Sequence, residues 1–419
     1  MKKYLYIICA LMLVLVGCSE EKAPMELVEI HSEALQETVT EIVTESETEA
    51  LESVTEESLE NEISLENEPP LEEQVVTKEK VTLIMVGDIL MHTPVTDSGR
   101  MEDGSFRYDH LFANTKEVIE QADVALVNQE VILGGAELGL SGYPSFNAPY
   151  EVGDALVNSG FDVVLHATNH TMDKGEKGIR NCLSFWKEKH PEIKVAGINE
   201  SEQAKENCAV YVEKNGITIA ILNYTYGLNG IALPKDAPYI VNLLDKAQIE
   251  KDVKRAKENA DFVVVCPHWG TEYHHEPDKN QKAMAQFFAD IQVDLVLGTH
   301  PHVIEPVEWV IGEKGNEMLV YYSLGNFVNA TSGTGAGVAD RMLGAMAYIA
   351  IERDEAGKVV VADYSAFPLV SHVEKGEQKI TVYPLEDYTE QMAAQNEIVK
   401  QDSNFSREYI IKLWDEIMH

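Results

Sequence analysis

From Val81 onward, short apolar runs alternate with amphipathic segments. VTLIMVG (81–87) has the length and β-branched character of a buried strand and runs into Asp88. TKEVIEQA (115–122) predicts a helix, and DVALVN (123–128) a strand that ends at the segment 128–130. EVGDALVNSG (151–160) predicts a helix closed by Gly160, and FDVVLHA (161–167) a strand that stops before Thr168-Asn169-His170. Residues 176–190 carry a helical period. CAVYVE (208–213), the Asn215-Gly216 turn and ITIAILNY (217–224) predict a hairpin, since Asn-Gly is the favoured two-residue turn. A Lys/Glu-rich helix is expected near 246–260, then the strand FVVVCP (262–267) leading straight into His268. A helix near 280–291 and the strand VDLVLG (293–298) bring the chain to His300. Strands alternating with helices predict an α/β fold, and later hairpins such as MLVYYSLGNF (318–327) add antiparallel strands and make the sheet mixed.

Polar residues fall in a pattern on that scaffold. Asp88, Glu130, Asn169, His268, His300 and His302 all lie within a few residues of the C-terminal end of an apolar strand. In α/β sheets that edge is where ligands bind. Individually each is weak: an aspartate after a strand is usually a helix N-cap, and a single histidine there is more often a loop residue than a ligand. Gly298-Thr299-His300-Pro301-His302 is the most specific piece, because two imidazoles two residues apart in an extended segment can reach one metal site and Pro301 stiffens the segment. The set comprises two carboxylates, one amide oxygen and three imidazoles, a mixture suited to Mn, Fe or Zn. It exceeds what one tetrahedral ion needs, so the expectation is two divalent transition metals. With a bridging hydroxide such a cluster is formally about +1, which favours an anionic substrate.

The N-terminus changes the picture of where this domain works. Met1-Lys2-Lys3 followed by the apolar run Tyr4–Val16 has the layout of a secretory signal peptide. Gly17-Cys18-Ser19 at its end matches a bacterial lipobox, which implies cleavage before Cys18 and lipidation of that residue. Residues 19–80 then contain 20 Glu and 3 Lys, no Asp, Arg or aromatic residue, and a formal charge of −17 out of −38 for the chain. Such a segment repels itself and has little to bury; as a flexible coil it would reach about 45 Å. The expected organisation is a signal peptide (1–17), a lipidated Cys18 with an acidic tether (18–80), a globular domain (81–332) and a C-terminal extension (333–419). The expected location is the outer face of the bacterial membrane, with the lipid as anchor. The acidic balance argues against nucleic acid as a partner. Cys182, Cys208 and Cys266 are too widely spaced for a disulfide framework or a metal knot.

As a set, VGDILMH (86–92), VNQE (127–130), GFDVVLHATNHTMDKGEKGI (160–179), HWGTEY (268–273), GTHPHVIEP (298–306) and YSLGNF (322–327) closely resemble the CapA-type proteins of poly-γ-glutamate capsule synthesis, within the calcineurin-like metallophosphoesterase group. The resemblance spans about Val81–Ala330 and implies a four-layer α/β/β/α sandwich. It implies that Asp88 binds a first metal, that Glu130 stands where a bridging aspartate is usual, that Asn169 and His268 bind a second metal, and that His300 and His302 complete the pair. His170 is implied as the outer proton donor. Two departures stand out. The usual Asp-x-His opening lacks its histidine, so His92, four residues on, is the candidate substitute or outer contact; and Asn-Asn-His is here Thr168-Asn169-His170.

Three functions stay open on this reading. One is a metal-dependent hydrolase of phosphoester or γ-glutamyl amide bonds, with Arg341 and His274 either as substrate contacts or as plain surface charges. Another is a non-catalytic subunit that binds poly-γ-glutamate beside a membrane synthase. The weakest is a solute-binding lipoprotein. SGTGAG (332–337) reads as a flexible loop and candidate lid, 342–367 as a hairpin turning at 355–357, and 406–419 as an amphipathic helix packed on the domain.

Overall fold

The computed structural model describes residues 79–376 and 378–418. The expected signal peptide, Cys18 and nearly all of the expected acidic tether lie outside the described residues.

Fourteen strands are present among the described residues: β1 (Lys80–Ile89), β2 (Val124–Asn128), β3 (Val163–Leu165), β4 (Lys194–Ala196), β5 (Val210–Lys214), β6 (Ile217–Thr225), β7 (Phe262–His268), β8 (Leu295–Leu297), β9 (Ile304–Ile311), β10 (Glu317–Leu324), β11 (Asn326–Val328), β12 (Leu343–Arg353), β13 (Val359–Val373) and β14 (Ile380–Pro384). The helices are α1 (Thr93–Ser98), α2 (Lys116–Gln121), α3 (Glu151–Asn158), α4 (Gly175–Lys189), α5 (Glu202–Glu206), α6 (Lys246–Lys257), α7 (Lys279–Asp290), α8 (Glu390–Gln395) and α9 (Arg407–Met418).

The strands form two sheets. The first runs β14-β13-β12-β1-β2-β3-β4, with β11 also on β1; the second runs β5-β6-β7-β8-β10-β9. Strands β1 to β4 are mutually parallel, as are β6, β7, β8 and β10, whereas β12, β13, β14, β5 and β9 pair antiparallel.

Alternation along the strands builds the layers. Val81, Leu83 and Met85 point from β1 into a core shared with Ile219 and Ile221 of β6, Val264 of β7 and Leu319 of β10, so the two sheets face one another. Ile84 and Val86, one residue out of step, point the other way, into a core with Ile119, Leu156, Ile179 and Trp186 of α2, α3 and α4. On the far side, Leu222 and Val265 meet Ile249 of α6 and Phe288 of α7. The result is an α/β/β/α sandwich. Ile398, Ile410 and Trp414 from the C-terminal segment join the inter-sheet core. Cys182, Cys208 and Cys266 are free and buried. Among the described residues, no helix is long and apolar enough to cross a membrane.

Two close backbone approaches set up the functional edge. The register of β1 shifts between Val86 and Asp88 and again between Asp88 and Ile89, which re-aims Asp88 out of the regular ladder. Gly87 allows this: a Cβ there would sit 2.0 Å from the Gly325 carbonyl oxygen. Gly298 has the same role before the histidine pair, where a Cβ would lie 2.1 Å from the Tyr322 oxygen.

Candidate metal centre

The parallel strands of both sheets deliver their C-terminal ends to one edge. Asp88 is at the end of β1, Glu130 follows β2, Asn169 follows β3, His268 ends β7, and His300 and His302 follow β8. All six are buried, none more than 5 % exposed. The six residues expected from the pattern of strand ends are therefore brought together.

Their contacts divide into two groups that share Glu130. Ligand atoms of Asp88, Glu130 and His302 lie within 4.8 Å of one another, as do those of Glu130, His268 and His300. Glu130 Oε1 is 3.8 Å from His302 Nε2 and 3.7 Å from His268 Nε2. Asn169 Oδ1 is 2.9 Å from that same His268 nitrogen. Imidazole orientation is set from behind: His268 Nδ1 is 3.0 Å from Thr299 Oγ1, and His302 Nδ1 is 3.1 Å from Asn326 Oδ1 and 3.2 Å from Asp88 Oδ2. Asp88 also accepts from Asn128 Nδ2 at 2.7 Å and from the His300 backbone N–H at 3.2 Å.

Protein groups alone do not satisfy this cluster. Both oxygens of Glu130 and Nδ1 of His300 are buried without a hydrogen-bond partner. Burial, reinforced by Asp88, pushes the Glu130 carboxyl well above its usual range. Burial, reinforced by neighbouring imidazoles, holds His268 and His300 well below theirs. For His302 burial works the same way but is outweighed by Glu130 and Asp88, which raise it to about 9. The imidazoles of His268 and His300, held neutral beside the unpartnered oxygens of Glu130, are donors of the kind a divalent cation takes, so the donor set fits divalent metal binding. His300 and His302 also hold positive φ angles of 103° and 59°. Residues in such conformations cost about 1–3 kcal/mol each and collect at functional sites.

A ring of further groups surrounds the ligands. His170 is 6 % exposed. Its Nδ1 is 2.7 Å from Asp173 Oδ2, and Asp173 also accepts from the Phe146 backbone N–H at 2.7 Å. Phe146 packs edge-on against both His170 and His92. His92 belongs to neither ligand group and instead lines the cleft with His170, Tyr143, Tyr273, Asn329 and Arg341. Burial, then His302, His170 and Arg341, lower its pKa to about 4. Arg341 lies 3.6 Å over the Tyr273 ring, and its backbone oxygen accepts from Asn326 and Asn329 amides. His274 does not join them: it is exposed, and its Nδ1 is 2.8 Å from the Glu272 backbone oxygen. Four groups at the site were not among the expected residues. Glu272 forms a third cluster with His300 and His302. Asn229 reaches Asn169 at 3.3 Å and His170 at 3.4 Å. Tyr226 lies against the His300 ring, and Asn326 orients His302.

The fold and its buried donors define a two-sheet α/β protein with a candidate divalent-metal site at the ends of its parallel strands. Within it, residues 82–331 match the model of the bacterial capsule synthesis protein PGA_cap, and the chain belongs to that family. It is 36 % identical over 174 residues to "PGA biosynthesis protein CapA" of Bacillus subtilis, covering 41 % of this chain and 44 % of that protein. It is 31 % identical over 258 residues to "Capsule biosynthesis protein CapA" of Bacillus anthracis, covering 60 % of each. The matched regions thus span only part of those relatives. Among solved structures, NAD nucleotidase of Haemophilus influenzae aligns with a TM-score of 0.44 at 11 % identity, over 81 % of this chain and 63 % of that one. A 5'-nucleotidase precursor from Thermus thermophilus aligns at 0.43 and 12 %, over 80 % and 59 %.

Proposed function

We propose that this protein acts in the synthesis, export or processing of poly-γ-glutamate at the outer face of the cell membrane, held there by lipid on Cys18, and that the strand-end residues around Glu130 would hold a pair of divalent metals whose charge would attract the polymer's anionic groups. The observation that carries the reading is Glu130, buried among three imidazoles with neither carboxylate oxygen partnered. Asp88 and His302 would hold one ion, Asn169, His268 and His300 the other. When bound, such a pair supplies Lewis-acid polarisation of a substrate oxygen and acidification of water.

The chain's own residues do the rest. The cleft over the ligands holds about 40 Å³, room for a small group rather than a whole residue of substrate. Arg341, stacked on Tyr273, presents a guanidinium to a carboxylate or phosphate entering there. Asp173 orients His170 through Nδ1, which makes Nε2 the nitrogen that passes a proton to a leaving group. Thr331 lines both the cleft and a neighbouring cavity of about 750 Å³, so a chain with one acidic group at the metals has a path onward.

A second reading keeps the same metals as a carboxylate-binding site in a non-catalytic subunit of a membrane synthase. One experiment addresses both: incubate the full chain with size-defined poly-γ-glutamate, with Mn²⁺ or with chelator, beside His268→Ala. Hydrolysis predicts shortening of the polymer, and assembly predicts co-sedimentation alone; both vanish with chelator and in His268→Ala. Binding that ignores chelator, with the polymer unchanged in length, would overturn the proposal.

A further inference from the structure

We infer that Glu272 is a metal ligand, supplying the donor that is missing where the Asp-x-His opening has no histidine. This rests on the metal pair proposed above. Two residues after Asp88 stands Leu90, 5 % exposed and packed in the apolar core. His92 stands outside every cluster of ligand atoms among the described residues. The ion on Asp88, Glu130 and His302 therefore has three side chains only. Glu272 is placed to add a donor between the two sets: its carboxylate lies within 4.8 Å of ligand nitrogens of both His300 and His302, one from each ion's group.

The position is built by a loop that tracks the histidine segment step by step. Trp269 N donates to Thr299 O at 3.0 Å, Thr299 N to Pro267 O at 3.1 Å, and Tyr273 N to Pro301 O at 2.8 Å. Further on, His275 Nδ1 is 2.9 Å from Ile304 O. Tyr273 takes a φ of 64° in this turn, and its ring lies near both the His302 ring and the Arg341 guanidinium. Glu272 is thus fixed by its neighbours against the two imidazoles. His300, 2 % exposed, still has an unpartnered Nδ1.

The donor set becomes three carboxylates, three imidazoles and one amide oxygen. Two divalent ions then leave about +1 before any hydroxide is counted. That makes Arg341 the group that restores attraction for an anionic substrate. It also assigns His92 to the substrate side of the cleft.

Metal content separates these roles without any activity assay. The full chain, stripped with chelator and reloaded with Mn²⁺, is compared with Glu272→Gln, Glu272→Ala and His92→Asn by elemental analysis and titration calorimetry. The parent and His92→Asn should bind two equivalents, and both Glu272 variants should lose one or bind it at least tenfold more weakly. Circular dichroism checks that they fold, as expected for a half-buried side chain. Two equivalents in the Glu272 variants with parental affinity would overturn the inference and leave the metal pair standing. Loss of an ion in His92→Asn would overturn it in favour of His92. Fewer than two equivalents in the parent would overturn the metal pair itself, and the inference with it.

Discussion

Replacing Glu130 by Gln should separate a metal ligand from a structural ion pair. The Glu130 carboxyl is 1 % exposed and neither oxygen has a hydrogen-bond partner among protein groups. A buried acceptor left unpaired costs about 1–3 kcal/mol. Its nearest positive partner is His302 Nε2 at 3.8 Å, and His302 keeps Asp88 at 3.2 Å regardless. Glu130→Gln keeps the shape and removes a carboxyl whose charged form burial already disfavours, so in chelator the variant should match the parent within about 1 kcal/mol. Metal reverses the order. A ligand at a hundred times its dissociation constant adds about 2.7 kcal/mol per site; at roughly 2 °C per kcal/mol for a domain of this size, one site raises the melting temperature by about 5 °C. The parent should show this rise or more with Mn²⁺, and Glu130→Gln little of it. Thermal denaturation with and without chelator reads both halves. A loss of about 3–5 kcal/mol in chelator is what breaking a buried ion pair costs; that result would make Glu130 a structural partner of His302 and refute the reasoning.

Three further outcomes follow from the same structure. Gly87→Ala puts a Cβ 2.0 Å from the Gly325 oxygen, in backbone that cannot retreat, and should cost at least ~3 kcal/mol in denaturant melts, with loss of metal because Asp88 is displaced. Asp173→Asn keeps an oxygen for the Phe146 N–H and His170 Nδ1 but removes the negative charge beside the ring, so metal content should hold while any hydrolytic rate falls about 10²–10⁴-fold; an unchanged rate would remove His170 as proton donor. Glu305 is 1 % exposed, accepts from Gln281 Nε2 at 2.5 Å, and is raised to about 8, chiefly by burial. The folded chain therefore holds a proton between about pH 8 and 4.5 that the unfolded chain releases, so stability rises as pH falls through that window. Relative to Glu305→Gln, the parent should gain about 1.4 kcal/mol per pH unit on acidification, read by urea melts, and a pH-independent difference would refute the shift.

The strand-end residues were legible because apolar runs and the site share one geometry. A buried parallel strand shows as an unbroken β-branched run, and the residue where the run breaks is already at the binding edge. Asp88, Glu130, Asn169, His268, His300 and His302 all stand at such breaks. Glu272 and Asn229 sit in loops with no period, and the approach of Glu272 depends on backbone bonds such as Tyr273 N to Pro301 O that pair segments distant in sequence; Tyr226 stands one residue past β6 but has no ligand chemistry to mark it. Strand partnership was hidden for the same reason. The hairpin expected over 342–367 is β12 and β13, yet nothing in its alternation says that β12 pairs with β1. Nor does periodicity reveal that the strands divide between two sheets; that expectation came from the resemblance of the motifs. His92, four residues after Asp88, had the right chemistry and the wrong direction, since the chain turns into α1 at Thr93 and carries its ring against Phe146.

The central claim, that Glu130 is shared by two divalent ions, is tested most directly by anomalous diffraction from crystals soaked in Mn²⁺. Two peaks about 3.5–4 Å apart, one against Asp88 and His302, the other against Asn169, His268 and His300, with Glu130 between them, is the result expected. A site without anomalous density, or with metal bound elsewhere and Glu130 bonded only to water, would contradict it.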